Sequence, residues 1–457
     1  VLAEVFASNQ KVPTFHEKVQ PIIHKSCLSC HREGGAAPFS LATYDEVKSR
    51  GKMIQYVVDE GIMPPWFAAE GSGPWRSDMS LSDGEKATIK DWVSGGMPKG
   101  DPKRAPTPPQ FAESWTIGKP DAVFQFPQAV KVKESGIMPY ININVPTNFT
   151  EDKWVERIEV LPGDRRAVHH VLVFLKTPGE AGSGRNTDLT DELSGFFGAY
   201  VPGNSALTYQ PGMAKRIPKG SVLRFQMHYT PFGEATEDMT KIGLVFAKQP
   251  PVNEVHTASL ANLTFSIPPG ADSHEVTARL RVPKEVKVLS FLPHMHVRGK
   301  AARYEVTKGG STKTLLDVPR YDFNWQLNYI YETPLPLDQG DILTYRAWYD
   351  NSDKNPANPD PTRRVGWGLQ TYDEMHLGYV EYIVPGEKPG EGSSILRRRG
   401  LNVGTNIEQI FARLDRDKDG FVTQREASFL WENVKEADEN GDGKLSMAEV
   451  KSFYGLP

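Results

Sequence analysis

Three groups of residues have the types and spacing to do chemistry. The first is Cys27-Leu28-Ser29-Cys30-His31, in which an imidazole directly follows the second thiol. This C-x-x-C-H order is the attachment sequence for c-type haem: the thiols form thioethers with the porphyrin and the imidazole reaches the iron. A redox dithiol would sit at a helix start in a βαβ context, and a zinc site needs further thiol or imidazole ligands nearby. Neither context surrounds these residues. In Ile62-Met63-Pro64-Pro65-Trp66, the prolines fix the loop and make Met63 the leading distal ligand. Met53, Met79, Met97 and His16 stay open, and His24 reads as a surface residue.

The second group is imidazole. Five of the chain's 11 histidines fall in three short phrases. His169 and His170 are adjacent. Neighbours on an ideal strand point to opposite faces, so joint ligation requires a strand end or a bulge. His228 shares a polar face with Arg224 and Gln226, while Leu223, Phe225, Met227 and Tyr229 take the other. His294 and His296 project from one face and Met295 points away. A lone strand histidine is usually a hydrogen-bonded structural residue, but these phrases together read as metal ligands. Imidazole-rich sites suit Cu or Zn, and an added thioether favours Cu(I). Met375, in Asp373-Glu374-Met375-His376, is where one could join.

The third group is carboxylate. Asp415, Asp417, Asp419, the Phe421 carbonyl and Glu426 fit the 12-residue EF-hand loop, with Gly420 at the sharp turn. Asp438, Asn440, Asp442, the Lys444 carbonyl and Glu449 fit it again. Oxygen-only ligands at this spacing select Ca2+, in a structural or buffering role.

The elements that must hold these groups follow from pattern. The 457 residues suggest several domains. Val47, Ile54, Val57 and Val58 recur at helical spacing, and Ser82 with Glu85 is a capping box. A helical domain is therefore expected over 1–104, followed by a Pro-rich linker over 105–114. Short alternating runs bounded by Pro and Gly predict tandem antiparallel, jelly-roll-like β-sandwiches over 115–250 and 251–385. A linker over 386–404 leads to a helical EF-hand pair over 405–457. The turn-and-strand phrases Ile217–Tyr229 and Leu337–Tyr349, each followed by a Gly-hydrophobic strand at Ile242 or Leu377, read as an internal duplication. A charge of −4 gives no reason to expect nucleic acid. No apolar run approaches the roughly 20 residues that span a bilayer. The start at Val1 is expected to follow removal of a signal peptide, and c-type haem implies an extracytoplasmic (periplasmic or secreted) protein.

The helical segment resembles planctomycete-type cytochrome c domains. It shares Cys30-His31-Arg32-x-Gly34, Ala37-Pro38-Phe39-Ser40-Leu41, Met63-Pro64-Pro65-Trp66 and Leu81-Ser82-Asp83-x-Glu85. Residues 115–385 resemble the copper type II, ascorbate-dependent monooxygenases, the family of peptidylglycine α-hydroxylating and dopamine β-monooxygenases. The shared order is His-His, His-Tyr, His-x-His, Met. That resemblance implies an electron-storing copper on His169, His170 and His228. It implies a second copper, where O2 and substrate react, on His294, His296 and Met375, with Tyr379 near it.

The expected complement is thus covalent haem c, two Cu ions and two Ca2+. The implied activity is hydroxylation of a C–H bond, or oxidation of a heteroatom, in a small organic substrate. The haem supplies electrons in this reading, from an ascorbate-like reductant or a redox protein. The alternative is a haem–copper electron-transfer or copper-handling protein without oxygenase activity; a calcium-dependent binding protein is a third reading. Several residues depart from the family pattern. Both cysteines are in the helical segment, so no disulfide can brace the sandwiches. Leu292 stands where peptide-amidating members carry a carboxylate-binding Arg, which argues against a peptide C-terminus as substrate. His376 could compete with Met375 or add a ligand. His256 and His274 match no motif and read as structural.

Overall fold

The computed structural model describes residues 12–35, 37–76, 78–111, 115–178, 195–201, 206–391, 401–402, 407–427 and 431–453. The chain forms two compact units: Val1–Trp66 with Asp78–Ser114, and Phe67–Ser77 with Trp115–Pro457.

The first unit is helical. Helices Gln20–Ser26, Tyr44–Ser49, Gly51–Asp59 and Asp83–Ser94 follow a single π-turn, Phe15–Val19. Two starts are fixed by reciprocal capping boxes, Thr43 with Glu46 and Ser82 with Glu85. Phe15, Val19, Val47, Ile54, Ile89 and Trp92 fill the core. The pattern from Tyr44 to Glu60 suggests one helix, but the backbone leaves helical geometry at Arg50. At the next residue, a Cβ on Gly51 would lie 2.5 Å from the Met97 sulfur, so side-chain packing fills the space at the break.

The second unit is mostly β. In its first sandwich, a sheet built on Lys153–Leu161 and Lys241–Phe246 covers a four-stranded sheet. The latter runs Ile141–Pro146, Val222–Tyr229, Val168–Lys176, Gly198–Tyr200. Ile158 and Val160 from one sheet meet Val171, Val173, Phe225 and Met227 from the other. In the second sandwich, strands Tyr329–Leu337, Val286–His294, Leu377–Ile383 and His256–Asn262 pair in that order. They pack on a sheet containing His274–Arg281, Ile342–Tyr349 and Gly299–Lys308, for example through Phe291 on Tyr304 at 4.2 Å between ring centroids.

Strand alternation then builds the joint between sandwiches. Val171 and Val173 face the first core, whereas Leu172 and Phe174 face the second sandwich and pack with Leu292, Met375, Leu377 and Tyr379. Farther along, Lys215 and Glu381 form a 2.7 Å ion pair with both side chains 5% exposed.

Two expectations about organisation change. The strands matched as an internal duplication occupy different positions: Val222–Tyr229 lies in the sheet facing the other sandwich, whereas Ile342–Tyr349 lies in the sheet facing away. Similar turn phrases feed both because any exposed turn into a half-buried strand favours the same Gly-polar-hydrophobic order. Residues 67–77, placed by sequence inside the helical domain, belong to the β unit. Trp75 bridges to Tyr331 and stacks 4.5 Å from its ring, the Ala69 N–H donates to Asp317 O at 2.8 Å, and the Arg76 N–H to Ile330 O at 2.7 Å. Among the tail's described residues, Phe421–Thr423 pairs with Lys444–Ser446 over a core of Ile407, Phe411, Trp431 and Phe453.

Candidate metal centres

A β-bulge gathers the first imidazole group. Val168 pairs with Tyr229 and His170 with His228, so His169 is the extra residue between two ladder positions. The bulge lets adjacent histidines serve one side. Ligand atoms of His169, His170 and His228 all lie within 4.8 Å of one another. Asn324 orients His169: its amide donates to Asp322 (3.0 Å), so its oxygen faces His169 and accepts the Nε2–H at 3.1 Å. His169 Nδ1 then carries the lone pair. His170 Nε2 and His228 Nδ1 are buried without a hydrogen-bond partner. Burial holds all three rings below the usual histidine range, His228 to about 3. His170 is lowered further by His228, His169, His294 and His296. His169 and His170 meet through their Nδ1 atoms at 3.4 Å, and three neutral, converging imidazoles, two of them with a buried unpartnered nitrogen, are a donor set that fits copper.

The second group ends strand Val286–His294. Gln326 donates to Phe323 O at 3.1 Å and so turns its oxygen to His294, which donates Nδ1–H at 2.5 Å. His296 donates Nδ1–H to Asp373 O at 3.2 Å, and its Nε2 is buried without a partner. Both rings are therefore fixed in the tautomer that leaves Nε2 as donor atom. Burial lowers His294 to about 4 and holds His296 well below the usual histidine range.

Met375 reaches this group through Glu374. That fully buried carboxylate accepts backbone N–H groups from His296 (2.8 Å), Arg298 (2.7 Å) and Met375 (3.3 Å). Burial raises Glu374 to about 8, against the pull of those N–H groups and Arg298. Tyr379 is buried with its ring centroid 6.3 Å from His294. Two imidazoles fixed in the donor tautomer suit copper as well, and Met375 is buried in the apolar cluster with Leu292, Leu377 and Tyr379.

His376 has a different role from its neighbour. Its Nε2–H donates to Val276 O at 3.1 Å and its ring packs 4.6 Å from Tyr345, inside the second sandwich. It therefore does not share the Met375 position. His256 is bound to Glu387 at 2.6 Å. Leu292 is buried beside Met375.

Three residues of one loop were not legible as site residues: Phe323, Asn324 and Gln326. The loop touches both imidazole groups, with Phe323 centroids 5.0 Å from His169 and 6.0 Å from His296. It follows His294 by about 30 positions and His169 by 155, so no spacing pattern marks it.

In the helical unit, Cys27 and Cys30 are not joined to one another. Burial, then Cys30, pushes the Cys27 thiol up to about 12, which disfavours a reactive thiolate. His31 donates Nδ1–H to Phe39 O at 3.1 Å, leaving Nε2 as the lone-pair nitrogen, which suits a proximal ligand. Met63 follows the helix Gly51–Asp59, its N–H on Val57 O at 3.0 Å; no hydrogen bond or ring contact joins it to His31 among the described residues. Met53 is exposed, Met97 packs against the core, and His16 holds Gln20 at 2.8 Å. Gln20 also contacts the half-exposed His24.

The tail loops have matching geometry. Carboxylates of Asp415, Asp417 and Asp419 lie within 4.8 Å of one another. Gly420 and Gly443 sit at φ +86° and +78°, where a Cβ would be strained. Glu426 is bonded by Thr423 and Arg416, and Thr423 chiefly lowers its carboxyl to about 2. Glu449 is held likewise by Ser446, while Asp438 and Asn440 accept loop N–H groups, the latter from Asp442. Phe421 and Lys444 stand on the paired strands joining the loops.

The family model for the copper type II ascorbate-dependent monooxygenase C-terminal domain matches residues 264–390. That span contains His294, His296, Met375 and Tyr379; His169, His170 and His228 precede it. The EF-hand model matches residues 407–426 and 435–454. No curated protein matches the chain in sequence. Solved structures with some likeness include the major capsid protein P2 of bacteriophage PM2, at 10% identity over 59% of this chain and 99% of that one, TM-score 0.26. The infectious bursal disease virus VP2 subviral particle gives 10% identity, 60% and 74% coverage and a TM-score of 0.18. Paenibacillus xanthan lyase gives 10%, 63%, 28% and 0.17. Scores this low carry no argument about the chain.

Proposed function

We propose that the chain is a copper-dependent monooxygenase that oxidises a C–H bond or heteroatom of a small organic substrate with O2. In this reading His169, His170 and His228 hold one copper, and His294, His296 and Met375 hold another beside Tyr379. Cys27, Cys30 and His31 anchor haem c as the electron supply, fed by an ascorbate-like reductant or a redox protein. Copper supplies the one-electron chemistry that O2 activation requires. Covalent haem c makes the protein extracytoplasmic, and the EF-hand pair holds Ca2+ structurally.

One observation carries the reading. At one end of the joint between sandwiches, five imidazoles are kept neutral, and His170 Nε2, His228 Nδ1 and His296 Nε2 are buried with no hydrogen-bond partner. Burying that many unpaired acceptors is costly unless they meet a ligand. The chain's own residues do the preparatory work. Asn324 and Gln326 set tautomers, the bulge turns His169, and Glu374 fixes the turn after His294 relative to Met375.

Metal analysis of the full chain tests the coordination. The expected result is two Cu per chain, falling by one in His228→Ala and by one in His294→Ala. Reduced, copper-loaded protein should then consume O2 in proportion to added substrate and place one atom of labelled O2 in the product. Copper uptake without substrate-dependent O2 consumption would replace this reading with the electron-transfer or copper-handling alternative. Loss of covalently bound haem in Cys27→Ser, with copper retained, checks the helical unit separately.

A further inference from the structure

A cavity of about 300 Å3 opens between the two sandwiches at the imidazole end of their joint. This volume is at the small end of ligand sites, enough for one substituted ring. One wall comes from the first sandwich, where Met138 and Tyr140 precede strand Ile141–Pro146 and His228 is the next-to-last residue of its own strand. The opposite wall comes from the second, with Val297 next to His296 and Gln370, Thr371 and Tyr372 just before Asp373. The cavity therefore touches His228 of one imidazole group and the immediate neighbour of His296 in the other.

The chemistry of the walls is selective. Among the described lining residues, none is Asp, Glu, Lys or Arg. Behind the wall, the Arg298 guanidinium donates to the Asn351 side-chain oxygen at 2.9 Å and the Tyr372 carbonyl at 3.0 Å, and Arg363 pairs with Asp373 at 3.0 Å. The polar groups that line it are neutral, including Tyr140 and Thr371, whose hydroxyls lie 3.2 Å apart. The lip is apolar. Ile137 is 87% exposed and Tyr372 is 50% exposed, one from each sandwich. An ionic ligand would lose its hydration here without meeting a counter-charge, whereas an uncharged ring with a hydroxyl would bury apolar surface and keep a hydrogen bond.

We propose that this cavity is the binding site for an uncharged, largely apolar organic molecule of about one substituted ring, such as an aryl or alkyl alcohol, and that it discriminates against amines and carboxylates. The inference rests on the monooxygenase reading only for what happens to the bound molecule; the binding preference needs no copper.

Calorimetric titration of the full chain with a matched series tests it: 2-phenylethanol, 2-phenylethylammonium and phenylacetate, with and without copper. The alcohol should bind at least about 30-fold more tightly than either ion, a difference on the scale expected for an uncompensated charge. Ile137→Glu places a carboxylate on the exposed lip without touching a core. It should strengthen the ammonium ion and weaken phenylacetate, each up to about 10-fold, a size set by one new charge at short range, and leave the uncharged alcohol nearly unchanged. Either ion binding as tightly as the alcohol, no binding by all three at millimolar concentration, or ion affinities indifferent to Ile137→Glu would each overturn the proposal. Failure of the copper reading would show separately, as low copper content beside an intact alcohol preference.

Discussion

The Lys215–Glu381 pair sets how the two sandwiches sit, and removing half of it should cost more than removing all of it. The Glu381 carboxylate accepts the Tyr209 hydroxyl at 3.0 Å and the Ser290 hydroxyl at 3.3 Å besides the 2.7 Å ion pair. Lys215 also donates to the carbonyls of Phe196 and Phe197, both at 3.2 Å. In Glu381→Gln the ammonium stays buried against two carbonyls and an amide. Breaking a buried pair this way costs about 3–5 kcal/mol, and the two carbonyls argue for the lower end. Lys215→Met leaves the carboxylate with two hydroxyl donors and a similar deficit. In the double variant no charge is buried, the new amide oxygen at position 381 can still accept from Tyr209 and Ser290, and the cost should fall to about 1 kcal/mol. Denaturant unfolding of the full chain, at fixed copper and calcium, reads all three. In a thermal melt, at about 1–2 °C per kcal/mol for a unit this large, each single variant should melt about 3–6 °C lower and the double only about 1–2 °C lower. Additive losses, with the double variant the least stable, would refute the idea that the charges depend on each other.

Other consequences concern the metal sites. Gln326→Leu removes the acceptor that fixes the His294 tautomer, so affinity at the second site should fall about 10–100-fold while the first site is unchanged. Chelator competition on the copper-loaded protein measures both sites. Asp415→Ala should abolish one of two Ca2+ sites and lower the calcium-dependent unfolding transition of the tail without altering copper content; a calorimetric trace unaffected by calcium in the parent protein would count against a structural role.

Much of this arrangement was legible because it rests on local rules. His169 next to His170 already demanded a bulge or strand end, and the ladder skips His169. Alternation alone placed His228 on the polar face of its strand, and its apolar neighbours fill the core as the pattern requires. The Ser82–Glu85 box starts its helix. What escaped was non-local. Asn324 and Gln326 act through contacts 155 and 32 residues away, and their loop has no periodicity to betray it. Lys215 and Glu381 look like ordinary polar positions in strands until the fold brings them together. The arm at residues 67–77 was misplaced because nothing in its composition says which unit its Trp75 will seek. Glu374 lay in plain view beside Met375, but its three backbone partners exist only in the folded turn.

The order of side chains along the joint explains why the imidazoles collect at one end. Strand Leu377–Ile383 presents Leu377, Tyr379, Glu381 and Ile383 toward the first sandwich. Its partner strand sets His294 opposite Leu377, Leu292 opposite Tyr379 and Ser290 opposite Glu381. The imidazole end is therefore followed by apolar rungs that Leu172, Phe174 and Phe196 seal from the other sheet, and only then by the ion pair. Had the ion pair stood next to His294, the Lys215 charge would compete for the same nitrogens and bring water with it. Displaced by two rungs, it holds the sandwiches together while the imidazoles keep dry, uncharged surroundings. Low polarity behind the rings holds them neutral at ordinary pH, and neutrality is what a nitrogen ligand requires. Phe323 does the same on the loop side, laying a ring against His169 and His296 where a polar residue would offer them protons. The proposed metal sites thus depend less on the histidines, which chance could supply, than on an apolar barrier whose position along the strands is set by a period of two.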